Sequence, residues 1–230
     1  MELSERLQAV AALVSYPLVA DIGTDHGYVP IYLHKLGKLK KGFACDVNKG
    51  PLEKASENIR LHGAQEAIET RLGSGLMPLQ VGETETVVIA GMGGMLMLRL
   101  LQDSPAVVAS LKELVLSPQH DVDEVRRYVH SIGFSIETEQ MVKEDGKYYN
   151  LMRCIPGEEK YVREIDYLYG KRLLLGKDTV LVEVLFEEER KYLQLEEKLL
   201  KSDTEGAKVR LEEVQERFRG IREALECLQQ

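Results

Sequence analysis

Residues 17–30 constrain the fold more than any other stretch. They read Pro-Leu-Val-Ala-Asp-Ile-Gly-Thr-Asp-His-Gly-Tyr-Val-Pro. An apolar run ends in Asp21, glycines follow at 23 and 27, and a helical pattern then begins. Strand, tight glycine turn and helix make the first unit of a nucleotide-binding α/β sheet. Glycines at such a turn let the backbone approach a ligand closely. The ligand then lies at the carboxyl edge of the strand, beside the helix N-terminus.

The side chains of the loop narrow the ligand. A dinucleotide fingerprint has glycine where its backbone meets the pyrophosphate, whereas this loop carries Asp21 and Asp25. Two carboxylates would repel a diphosphate, and more strongly in a cleft than in water. A cationic ligand suits them, and S-adenosylmethionine carries both a sulfonium and an ammonium. Asp46 ends the next apolar run, Gly42-Phe43-Ala44-Cys45-Asp46, 25 residues after Asp21. A carboxylate there can accept both hydroxyls of a ribose.

The chain of 230 residues is long enough for one large domain or a domain with an appendage. Its composition, 44% apolar and 30% charged, suits a soluble globular protein. The longest apolar window, 87–98, is interrupted by three glycines and too short for a bilayer. The N-terminus has no signal-peptide pattern. Cys45, Cys154 and Cys227 are scattered and form no C-x-x-C or Cys/His pair, so no metal is expected. They suit a reducing, cytoplasmic location. A net charge of −8 argues against a generally basic nucleic-acid binder but leaves room for a locally basic face.

Leu3, Leu7, Val10, Leu13 and Val14 mark one face of a first helix, with Ser4 as its cap. Residues 29–36 read as the helix after the first strand. Lys35, Lys38, Lys40 and Lys41 follow around Gly37, as a solvated turn or as part of a phosphate-contacting patch. Residues 48–62 read as a helix capped by Asn48 and closed by Gly63. Asn58 on it reads as surface polarity. A third strand over 67–72 ends in Gly73-Ser74-Gly75, where Ser74 could bond an adenine ring. The β-branched run 86–90 is a central parallel strand leading into Gly91-Met92-Gly93-Gly94 and a helix over 95–101. Three glycines in four residues suggest exposed amides and space above a cofactor as well as close packing. A fifth strand, 113–117, ends beside His120, and Asp121 or Asp123 could cap the next helix. Asp145-Gly146 between strand-like runs 134–142 and 148–155 signals a hairpin.

An α/β chain whose sheet ends in an antiparallel pair resembles the class I methyltransferases, and that resemblance implies a Rossmann-like sheet of seven strands in order 3-2-1-4-5-7-6 with the last one antiparallel. Pro156-Gly157 marks the expected boundary, giving domains 1–156 and 157–230. From Glu158 onward there are 18 acidic and 14 basic residues. Leu181, Leu185, Tyr192, Leu195 and Leu199, then Leu211, Val214, Phe218, Ile221, Leu225 and Leu228, fall at heptad-like spacings. They predict a C-terminal antiparallel coiled-coil hairpin.

The expected reaction is methyl transfer. Base amino-group methyltransferases resemble one another in an Asp or Asn followed by Pro-Pro and an aromatic after the fourth strand. Ala90-Gly91-Met92-Gly93-Gly94 offers no side-chain acceptor there. A ring nitrogen such as adenine N1 has an in-plane lone pair and needs no deprotonation, and carboxylates near the cationic product would stabilise it. Asp25 and His26 suit that role, and Tyr28 could stack on a base.

Asp21-Ile-Gly-Thr-Asp-His-Gly-Tyr-Val-Pro30, Cys45-Asp46-Val47-Asn48, Leu72-Gly-Ser-Gly-Leu76 and Ile89-Ala-Gly-Met-Gly-Gly94, followed by a helical hairpin, resemble the bacterial TrmK family. Those are tRNA methyltransferases acting on N1 of adenine 22, and the resemblance spans nearly the whole chain. It implies S-adenosylmethionine as cofactor, held by Asp21, Gly23, Gly27, Asp46, Val47, Gly73, Ser74, Gly91, Met92 and Gly93. Catalysis would involve Asp25, His26 and Tyr28. It implies tRNA as partner; the residues themselves offer Lys35, Lys38, Lys40, Lys41, Lys49, Lys54, Arg126 and Arg127 as candidate phosphate contacts and no membrane span, and they leave the oligomeric state open, with a monomer favoured. A small-molecule methyltransferase and a non-catalytic cofactor-binding scaffold are the alternatives.

Overall fold

The computed structural model describes residues 3–201 and 204–229. The chain divides into two compact units, Met1–Lys160 and Tyr161–Gln230.

The first unit is a seven-stranded sheet in the order β3-β2-β1-β4-β5-β7-β6. Five strands are parallel: β1 (Leu18–Ile22), β2 (Lys41–Asp46), β3 (Ile68–Leu72), β4 (Thr86–Ala90) and β5 (Glu113–Ser117). Val87, Val88 and Ile89 are fully buried, as a β-branched strand covered on both faces must be. Helices α1 (Glu5–Leu13), α2 (Tyr28–Lys35), α3 (Lys49–Leu61), α4 (Gly94–Gln102), the short α5 (Pro105–Val108) and α6 (Val122–Ser131) connect or cover them. The core gathers Val10, Val19, Ile31, Leu33, Ala44, Ile59, Val88 and Val115. Ser4 caps α1, its hydroxyl accepting from the Leu7 N–H. Asn48 holds the N-cap position of α3 and Asp121 that of α6, but neither side chain makes a cap hydrogen bond.

Sequence order reverses at β1, which lies between β2 and β4. In open α/β sheets a ligand binds in the crevice at the carboxyl ends of the strands at such a reversal. β6 (Phe134–Glu144) and β7 (Lys147–Pro156) close the sheet as an antiparallel pair. Their turn, Asp145-Gly146, has φ of 50° and 72°, the left-handed pair of a type I′ hairpin. Leu116 of β5 faces Met152 of β7, so Lys147–Asn150 outruns the end of β5. At roughly 3.3 Å per residue the hairpin rises about 13 Å beyond the carboxyl edge.

Glu113 at the start of β5 is fully buried and fully partnered. It accepts from the Ser15 N–H at 2.8 Å, the Thr86 hydroxyl at 2.7 Å and Arg153 Nε at 2.6 Å. This ties the end of α1 to the amino edge of the sheet.

The second unit is helical: α7 (Glu164–Tyr169), α8 (Lys171–Leu175), α9 (Thr179–Leu199) and α10 (Glu205–Gln229). The long pair is antiparallel, since Gln215 bonds Glu196 at 2.9 Å while Arg222 approaches Glu189 at 3.8 Å. Leu181, Leu185, Val214, Ile221, Leu225 and Leu228 are buried along it. Asp178 caps α9, accepting from the Val180 and Leu181 N–H groups. Among the described residues no helix is long and apolar enough to cross a membrane.

Candidate active site

The loop after β1 is held by its backbone. The Gly23 and Thr24 N–H groups both donate to the Cys45 carbonyl, at 2.8 and 3.0 Å. Gly23 and Gly27 have φ of 71° and 69°, conformations that glycine adopts without strain. His26 between them is also left-handed, at 61°. The Asn58 side-chain amide donates to the His26 carbonyl at 3.0 Å. Asn58 is therefore a brace from α3 to this loop and not a plain surface group. No local signal in the sequence marks that role.

Asp21 is buried, and the Thr24 hydroxyl donates to its Oδ2 at 2.6 Å. Burial pushes the Asp21 carboxyl up to about 6; the Thr24 hydrogen bond pulls it down, and Asp46 and Asp25 push it further up. A buried carboxylate whose strongest charged neighbours are two more carboxylates is set for a positive partner. Thr24 is thus a site residue that the sequence motif alone left unassigned.

Asp46 ends β2 beside this loop. Its Oδ1 accepts the Asn48 N–H at 2.7 Å, and its carbonyl accepts the Gly73 N–H at 2.9 Å. Asp46 and the Gly73-Ser74-Gly75 turn therefore adjoin. Ser74 is exposed. Val47 is 63% exposed, and Leu72, Met77 and Met95 are also exposed at this edge. Apolar side chains left in water around a polar cleft suit the faces of an aromatic ring.

Asp25 is exposed and its Oδ1 lies 3.2 Å from His26 Nε2. The His26 and Tyr28 rings stack with centroids 5.0 Å apart. One face of Tyr28 is thus occupied, leaving only the other for a base.

The Gly91–Gly94 turn departs from expectation. The Gly91 N–H donates to the Ser117 carbonyl and the Gly94 N–H to the His120 carbonyl, both at 3.1 Å. Those amides are not open to a ligand. A Cβ on Gly93 would stand 2.5 Å from the His120 ring, and one on Gly94 2.6 Å from the His120 carbonyl oxygen. Two of the three glycines are explained by close packing against the loop after β5. Met92 faces the site: its methyl would meet a Cβ on Gly23 at 1.9 Å. His120 hydrogen-bonds Asp121, Nδ1 to Oδ2, at 2.6 Å.

The candidate phosphate contacts fare differently. Arg126 is 1% exposed, and its Nε donates to Glu139, also buried, at 2.7 Å. It is a core ion pair and not an RNA contact, because a guanidinium sealed from water cannot reach a phosphate. Arg127 is half-buried and engaged within the fold. Lys35, Lys38, Lys40 and Lys41 lie where α2 ends and β2 begins, and Lys40 and Lys41 N–H groups donate to the Pro17 carbonyl before β1. That is the amino edge, about 17 Å of strand from the glycine loop. Lys49 and Lys54, exposed on α3, start from the carboxyl edge.

Comparisons with known proteins agree with this layout. A family model described as a methyltransferase domain matches residues 3–152. The tRNA (adenine(22)-N(1))-methyltransferase of Bacillus subtilis is 27% identical over 98% of both chains. A Streptococcus pneumoniae structure, provisionally described as a tRNA (m1A22) methyltransferase, is 30% identical over 97% of this chain and 100% of its own, with a TM-score of 0.90. TrmK of M. capricolum, solved with S-adenosyl-homocysteine, is 27% identical over 99% and 100%, with a TM-score of 0.86.

Proposed function

Because the chain belongs to the TrmK family of methyltransferases, we propose that it methylates N1 of adenine 22 in tRNA, using S-adenosylmethionine. The observation that carries this reading is the buried Asp21 carboxyl, flanked by Asp46 and Asp25 around a left-handed glycine turn. When bound, the cofactor supplies a methyl group on an already activated sulfonium. The protein's part is proximity, alignment and electrostatics. Asp21, held by Thr24, receives the cationic end. Asp46 accepts the ribose hydroxyls. Val47, Gly73 and Ser74 bound the adenine pocket, while Gly23, Gly27, Gly91, Met92 and Gly93 shape the floor between the two glycine turns.

Adenine N1 brings its own lone pair, so no general base is required. Positive charge grows on the ring as N1 is alkylated. Asp25, paired with His26, offers negative charge to it, and the open face of Tyr28 offers a surface for the base. The target base must leave its stack, at a cost of a few kcal/mol.

The test uses labelled S-adenosylmethionine with unmodified tRNA and with tRNA carrying guanosine at position 22. Label on the first alone is expected; equal label on both rejects the assignment. The net charge of −8 and the buried Arg126 favour one rival, a small-molecule methyltransferase. Steep weakening of tRNA binding with salt separates the two.

A further inference from the structure

The first turn of α1 carries a cation that none of the roles above uses. Arg6 is anchored at its backbone, where its N–H donates to Glu144 Oε1 at 3.0 Å. Its guanidinium lies over the Tyr149 ring, 4.9 Å from the centroid. Glu144 and Tyr149 belong to the part of the β6–β7 hairpin that rises beyond the carboxyl edge. The side chain therefore lies against the wall beside the crevice.

Three polar atoms there lack partners. Arg6 Nε and Nη1 are buried with no hydrogen bond; Nε is 3.9 Å from Glu144 Oε2, an ion pair beyond hydrogen-bond reach. Nη1 would lie 3.7 Å from a Cβ on Gly91, so the fork reaches the turn after β4. The third atom is the Ser117 hydroxyl at the end of β5, buried without a partner. The Ser117 carbonyl accepts the Gly91 N–H, so the end of β5 adjoins that glycine. Buried donors left unmade are costly, and the Arg6 side chain, 20% exposed where that of Arg126 is 1% exposed, keeps a surface through which a ligand can reach the fork.

The chemistry of the reaction selects the ligand. N1 methylation leaves a positive ring, so a guanidinium directed at the ring would oppose the reaction. A planar fork of N–H groups matches a phosphate. We propose that Arg6 grips the phosphodiester beside the adenosine being methylated and positions the extruded nucleotide over the Gly91 turn. This rests on the tRNA reading above. Arg6 is a positioning residue: it holds the substrate and leaves the methyl donor untouched.

The experiment compares wild type, Arg6→Gln and Arg6→Lys as full-length chains. Each is assayed on unmodified tRNA and on tRNA with a neutral methylphosphonate beside adenosine 22. Arg6→Gln should lower kcat/KM for tRNA by about 10- to 100-fold, as loss of a charge-assisted bond does. Its dependence of log kcat/KM on log salt should flatten by about one. Affinity for S-adenosylmethionine should hold, and Arg6→Lys should recover part of the loss. The methylphosphonate should slow wild type and not slow Arg6→Gln further. An unchanged salt slope in Arg6→Gln and Arg6→Lys, or equal methylphosphonate sensitivity in all three chains, overturns the proposal. A purely structural Arg6 would show itself as lost cofactor affinity with that slope intact. A wild-type chain that leaves tRNA unlabelled sinks the enzymatic reading instead, and the control arm reports it separately.

Discussion

Replacing Asp21 with asparagine separates what the buried carboxyl costs the fold from what it gives the cofactor. The carboxyl rises from an ordinary 3.8 to about 6 in the folded chain, with burial as the main cause. At about 1.4 kcal/mol per tenfold change in proton affinity, that difference is roughly 3 kcal/mol. The native state holds the proton more tightly than the unfolded chain does. Stability from this group is therefore fully present below pH 3.8 and declines as pH rises from about 4 to 6. Above that window the ionised group opposes folding by the whole amount. Asparagine keeps an oxygen for the Thr24 hydroxyl and carries no charge, although its new N–H groups need partners. The cofactor-free Asp21→Asn protein should therefore be about 1–3 kcal/mol more stable than wild type at pH 8. The advantage should shrink toward zero at pH 4. Urea unfolding at the two pH values measures it. Calorimetry should meanwhile show S-adenosylmethionine affinity reduced at least tenfold in the variant. In wild type, affinity should fall as pH drops below about 6, because the cation selects the carboxylate. A variant less stable than wild type at pH 8, or a stability difference independent of pH, refutes the account of Asp21.

Three further substitutions probe the rest of the molecule. Asp46→Ala should weaken S-adenosylmethionine binding by about 10- to 100-fold, since two ribose hydroxyls lose a charged acceptor; unchanged affinity in calorimetry would remove Asp46 from the site. Arg126→Ala strands the buried Glu139 carboxylate and should cost about 3–5 kcal/mol in chemical denaturation, with tRNA affinity of the folded fraction unaffected. Gly94→Ala sets a methyl group 2.6 and 2.7 Å from the His120 and Asp121 carbonyl oxygens. It should lose about 1–3 kcal/mol, whereas Gly50→Ala, with nothing within 4 Å, should not destabilise.

What the sequence showed is what repeats along it. The apolar run 86–90, buried through Ile89, and the Asp-Gly turn at 145–146 each carry a local pattern, and the antiparallel end of the sheet followed from the second, while the strand order came with the family resemblance. Asp21, Asp46 and the two glycine turns were legible because close backbone approach demands particular residue types at short spacing. The failures are tertiary. Arg126 looks like any surface arginine until Glu139, thirteen residues on, is brought beside it in the core. Arg6 and Asn58 act on loops far away in sequence. The lysines at 35–41 are clustered in the chain, but the strand direction that sends them to the amino edge is a property of the sheet. The short helices α5, α7 and α8 escaped because four to six residues hold too little periodicity to read.

The loops after β4 and β5 are laced by three backbone hydrogen bonds: Gly91 to Ser117, Gln119 to Met92 and Gly94 to His120. Neither loop is an independent module. A designer who transplants one into a related scaffold must transplant its companion, or Met92 will no longer lie across Gly23. The same lacing means that a molecule pressing on His120 displaces Met92 as well, so the two loops shift as a single plate.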